Sequence, residues 1–273
     1  MSAESTAEAQ RADELEPEVR QAVRDLVLVL ADSKRLLGTR YAGWILGAPE
    51  LEAGIAAASM AQDEWGHARL LYAMLKDFGE DPSVIEHERD AAEYRALPVL
   101  DGPPDGWPEL VALNVLVDGA LTVQLQAFRD SRYIPMRQRV EKLLEEEQFH
   151  TAHGAAWCRR LAGAPEALAA LRGAVEPMVP RVLRWFGPDG GRARVLEDAD
   201  VVDGGGSELR RRWLERVAPQ LALLGEGLEL AGLEPEFTAF DEARRRGQGD
   251  GEGPDEETIR RVRGDRNRTF LMD

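Results

Sequence analysis

Residues 60–75 read MAQDEWGHARLLYAML, and residues 136–162 read MRQRVEKLLEEEQFHTAHGAAWCRRLA. Each stretch carries a Glu-x-x-His unit, Glu64-Trp-Gly-His67 in the first and Glu147-Gln-Phe-His150 in the second. A three-residue step puts a carboxylate and an imidazole one turn apart on one face of a helix. The apolar residues around both units recur every three or four positions, so both belong to amphipathic helices. One such unit is common by chance in acidic helices. Two, each midway along a long helix, form the pattern used to hold dinuclear metal sites inside four-helix bundles, where two further helices each add one carboxylate.

The same periodicity extends outward. Residues 17–46 form a long helical run that ends at Gly47-Ala48-Pro49, and Pro49 opens a second run from about Glu50 to Phe78. A short helix around Val84–Tyr94 leads into the loop LDGPPDGWP, and Pro108 starts a third long helix ending near Ser131–Pro135. The fourth follows and stops at Gly163, and further helices fall near 165–186 and 207–231. Strand signals are nearly absent. The expected fold is all-α, a ferritin-like four-helix bundle with additional C-terminal helices. Residues 1–16 are expected to be a disordered N-terminus, 17–246 the helical domain, and 247–273 a flexible linker and tail.

Two hairpins set the missing carboxylates by height. Counting back from the turn near Ala48 by the distance to Glu64 reaches Asp32, and the same operation on the second hairpin reaches Asp118. Both acids sit in apolar runs, where a lone carboxylate needs a partner or a metal; an Arg such as Arg35 or Arg40 is the alternative partner. The candidate ligands are Asp32, Glu64, His67, Asp118, Glu147 and His150. Such an oxygen-rich set favours iron or manganese over zinc or copper. Asp63 and Glu146 precede the two ligand glutamates and are candidates to accept the second N–H of a ligand histidine. His87 and His153 are expected at the surface or beside the site, and Trp44, Trp65, Phe128, Phe149, Trp157 and Cys158 in the core.

Composition narrows the function classes. The 34 Lys and Arg against 50 Asp and Glu give a net charge of −16, which disfavours nucleic acid and anionic membrane as partners. Apolar residues make up 44%, enough for a sizeable core. No apolar run suggests a membrane span, and the polar, acidic N-terminus does not resemble a secretory signal. One cysteine excludes an internal disulfide framework, and a cytoplasmic location is the expectation. The run Gly204–Gly206 follows no strand and matches no phosphate loop.

The segment ADSKRLLGTRYAGWILGAPELE followed by MAQDEWGHARLLYAML resembles the A- and C-type subunits of bacterial phenylacetyl-CoA epoxidase, ferritin-like proteins of the phenylacetic acid catabolic group. The resemblance is clearest over about residues 25–165. The local wording looks more like the C-type, while the Asp at position 118 is similar to the benzoyl-CoA epoxidase oxygenase component. In that family the A-type subunit holds a di-iron centre, and the C-type is a partner whose metal ligands have degenerated. The resemblance therefore implies a di-iron monooxygenase with two Fe ions, or Mn, acting on a CoA-thioester or aromatic substrate with O2. It also implies a separate reductase and a homo- or hetero-oligomer. A non-catalytic structural subunit of an epoxidase complex is the first alternative, and a ferritin, rubrerythrin or manganese catalase type of metal oxidase the second.

Overall fold

The computed structural model describes residues 9–225 and 235–270. Helices α1 (Pro17–Ala42) and α2 (Leu51–Met74) form the first hairpin, and α4 (Trp107–Gln126) and α5 (Ile134–Ala162) the second. A short α3 (Pro82–His87) lies between the hairpins. The later helices are α6 (Pro165–Trp185), α7 (Gly191–Asp198), α8 (Gly206–Leu221) and α9 (Glu256–Arg263). Among the described residues there is no strand, only two isolated bridges. The all-α expectation holds.

Local chemistry places the boundaries. Proline occupies the first turn of α1, α3, α4, α5 and α6, where a missing N–H leaves no bond unmade. Asp81 caps α3 by accepting from the Ser83 N–H at 2.9 Å. The first hairpin turn is broader than expected, because α1 ends at Ala42 and α2 starts only at Leu51. The loop folds back so closely that a Cβ on Gly54 would lie 2.4 Å from the Ile45 carbonyl oxygen.

Helix α4 is long and apolar enough by composition to cross a membrane, but 83% of its most apolar window is buried in the bundle. Its middle, Leu113–Asp118, is a π-helical segment, a widened turn that often marks functional positions. The core includes Leu30, Leu37, Leu71, Leu116, Leu121, Phe128 and Val140, all at 1% exposure or less. Helices α6 and α8 cover the α4 side, and α7 rests against α1.

At the periphery the described residues add contacts and boundaries to the sequence reading. Residues 1–8 lie outside the described residues, but Gln10 pairs with the chain at Arg132 and Ile134, and Ala12 and Leu15 are buried. The stretch expected to be a linker and tail carries the docked helix α9. Ile259 is buried, and Arg35 and Arg263 reach across to the Val262 and Arg89 carbonyls. The helix expected over 207–231 is described to Leu221 with a 3-10 turn to Leu224, and residues 226–231 lie outside the described residues. Phe128, Trp157 and Cys158 are buried and Trp44 is partly so, as expected, whereas Trp65 is partly exposed and Phe149 is 75% exposed.

Candidate metal centre

Five of the six predicted ligands lie close together in the middle of the bundle. Glu64 and His67 come from α2, Asp118 from the end of the π segment, and Glu147 and His150 from α5, each at 2% exposure or less. Glu64, Asp118, Glu147 and His150 bring one ligand atom each within 4.8 Å of one another, a group that could hold a metal ion. His67 stands beside them, its Nδ1 3.2 Å from Glu147 Oε1.

The sixth predicted ligand is elsewhere. Asp32 is fully buried, but its carboxylate accepts from Arg89 at 2.5 and 3.0 Å, from the Tyr72 hydroxyl at 2.6 Å and from the Arg95 N–H at 2.7 Å. The assignment of Asp32 as a ligand is corrected on that ground. The hairpin count matched height and ignored direction around the helix. A step of two residues turns the helix by about 200°, so Asp32 and Lys34 leave α1 on opposite sides.

Lys34 takes the inward place. Its Nζ donates to Glu64 Oε1 at 2.9 Å, Asp118 Oδ1 at 3.0 Å and Glu147 Oε1 at 2.5 Å. All three N–H bonds of one ammonium are thus spent on three carboxylates in a site without solvent exposure. The residue was legible as a lysine on the apolar stripe Leu30–Lys34–Leu37–Tyr41, every member of which is fully buried. The close approach of α1 and α2 at this level depends on Gly38, where a Cβ would lie 2.8 Å from the Trp65 ring and 3.0 Å from Glu64 Cβ.

Charges of both signs meet inside the cluster. Burial alone would lower the Lys34 pKa, but the surrounding Asp118, Glu147 and Glu64 outweigh it and hold the ammonium well above its ordinary value. Burial likewise opposes charge on His150, yet Asp118 and the hydrogen bonds to Asp118 and Glu64 raise it to about 12. Burial works against ionisation of Asp118 also, but Lys34 and His150 keep it well below the usual carboxylate range. Burial pushes Glu64 up to about 7 despite Lys34. An ammonium and an imidazole of the chain itself thus face the carboxylates of Glu64, Asp118 and Glu147.

The surrounding groups orient this cluster. Tyr41 donates to Asp118 Oδ2 at 3.0 Å, Asn114 Nδ2 donates to the Tyr41 oxygen at 2.9 Å, and Thr122 donates to Glu147 Oε2 at 3.1 Å. Asp63 and Glu146 each approach the histidine of the opposite helix. Glu146 Oε2 lies 2.6 Å from His67 Nε2, and Asp63 Oδ2 3.3 Å from His150 Nε2. His153 is half-buried near Trp157, where burial lowers its pKa, and His87 is partly exposed. Sequence reasoning missed Lys34, Tyr41, Asn114 and Arg89. Of these, only the buried lysine left a clear mark in the pattern.

A dinuclear centre does not fit this arrangement. The fourth carboxylate is committed to Arg89, and an ammonium occupies the point where three carboxylates meet.

The description "Phenylacetic acid catabolic protein" matches residues 1–248. The chain belongs to that family. Among curated proteins, the C-type subunit of 1,2-phenylacetyl-CoA epoxidase from Escherichia coli (strain K12) is 27% identical over 139 residues. That match covers 49% of this chain and 55% of the relative, so the chain spans about half the length of the curated relative it matches.

Proposed function

We propose that this chain is a metal-independent partner subunit of a multicomponent epoxidase-type assembly that acts on a CoA-thioester substrate. The observation that carries the reading is the Lys34 ammonium bonded to Glu64, Asp118 and Glu147 at the centre of the bundle. The relative's name, which makes it one of the subunits of a phenylacetyl-CoA epoxidase, supports membership of such an assembly. In this reading O2, the aryl-CoA thioester and electrons from a separate reductase meet at a metal-bearing partner, and the present chain supplies scaffold and contact surface. The exposed Leu46, Leu51 and Ile55, grouped at the α1–α2 turn, are suited to a partner contact.

The two-iron oxygenase expected from the paired Glu-x-x-His units is the competing reading. It requires Lys34 to leave the cluster and a further carboxylate to replace Asp32. Metal analysis of the chain purified after growth with added iron and manganese separates the two. The partner reading expects well under one ion per chain, no turnover by the chain alone, and increased turnover when it is mixed with a metal-bearing subunit. Two ions per chain, or oxygenation of an aryl-CoA thioester by this chain with a reductase alone, would overturn it.

A further inference from the structure

We infer that Lys34 masks a mononuclear divalent-cation site, and that removing its ammonium converts the cluster into one that binds manganese or ferrous ion. The inference rests on the reading of Lys34 as the cluster's resident cation.

The donor atoms are already gathered. Glu64 Oε1, Asp118 Oδ1 and Glu147 Oε1 converge on Nζ at 2.5–3.0 Å. His150 Nδ1 lies 2.9 Å from Asp118 Oδ2 and 3.3 Å from Glu64 Oε1, on the same side of the cluster. Oxygen ligands sit roughly 2.0–2.6 Å from a divalent cation, so contraction of each contact by under about 1 Å suffices. Beside this point Glu64 Oε2 makes no hydrogen bond, and His67 Nδ1 has only its 3.2 Å contact with Glu147 Oε1. An ammonium has three N–H bonds, all used here, and has none left for them. A metal ion with four to six coordination positions would engage them. Three carboxylates and one or two imidazoles, with His150 releasing its Nδ1 proton to solvent as the metal binds, form a hard donor set without thiolate, which suits manganese and ferrous ion over copper(I).

A 230 Å³ cavity reaches Glu147 and is lined by Thr122, Leu144, Gln148, Thr151 and Arg216. Arg216, also in its lining, donates to Thr151 Oγ1 at 2.6 Å.

The choice of side chain at position 34 thus decides between ammonium and metal. Lys34 is one of only three lysines in the chain, against 31 arginines. A compact point charge with three rotatable donors fits among three carboxylates where a planar guanidinium does not.

Lys34→Ala and the parent chain, both stripped with chelator, are titrated with Mn2+ by calorimetry, with electron paramagnetic resonance reporting bound ion. The variant is expected to take close to one Mn2+ per chain, about 100-fold more tightly than the parent, and to gain roughly 5–10 °C in Tm at saturation. Adding His150→Ala to the variant is expected to weaken binding by about tenfold or more. If the variant does not fold without metal, it is refolded with Mn2+, and recovery of the helical far-UV signal supports the inference. No binding by the variant and no recovery on refolding overturn the masked site while leaving the proposed partner role intact. Tight binding of Mn2+ by the parent overturns both.

Discussion

Replacing Asp32 with Ala deletes the carboxylate facing Arg89, a guanidinium with 6% exposure. Burial would lower the Arg89 pKa, but Asp32 reverses this and holds it above the usual value; a guanidinium is not deprotonated in proteins, so the cation stays charged when its partner is gone. Breaking a buried ion pair from one side costs about 3–5 kcal/mol. Arg89 retains bonds to the Ile85 and Glu93 carbonyls and the Tyr94 ring 4.5 Å from its Cζ, which soften the loss. The Tyr72 hydroxyl and the Arg95 N–H lose their acceptor, which adds to it. The net expectation is about 4 kcal/mol, or roughly 8–16 °C in Tm for a domain of this size. Urea unfolding followed by circular dichroism, with calorimetry, measures both. Arg89→Met alone should cost a similar amount, and the double variant less than the sum, with a coupling of about 2 kcal/mol. A loss below about 1 kcal/mol, additive single variants, or a loss restored by added Mn2+ or Fe2+ would refute the assignment of Asp32 to a structural ion pair.

Two further outcomes follow from the same cluster. His150 is raised in the folded chain to about 12 from an ordinary value near 6.5, so the folded state keeps a proton that the unfolded state releases in between. Its contribution is complete below about pH 6.5 and is lost as pH rises toward 12, so unfolding free energy should fall across alkaline pH. His150→Gln should flatten that slope, and an unchanged slope would contradict the charged imidazole. At Gly154, a Cβ would lie 2.0 Å from Asn114 Oδ1 and 3.0 Å from Val115 Cγ2. Gly154→Ala should therefore destabilise by about 1–2 kcal/mol in urea unfolding despite the better helix propensity of Ala. Asn114→Ala in the same chain should relieve most of it, and a stabilised Gly154→Ala would show that the helices move apart freely.

Periodicity, breakers and the doubled Glu-x-x-His spacing were enough to read an all-α bundle and to name Glu64, His67, Asp118, Glu147 and His150 as neighbours. These features are local, and a helix converts a spacing of three directly into a shared face. Asp32 shows where that reading stops. Its height was right, but the hairpin count ignored direction around α1; the apolar stripe through Lys34 marks that residue as inward, while the partner each side of α1 meets depends on how the helix packs against α2, α3 and α4. Tertiary packing alone decided that Asp32 faces Arg89 and that Lys34 faces the three carboxylates. The chemistry of the centre turns on that packing, because in a buried site the nearest cation fixes the charge balance, and here it is carried by the chain itself.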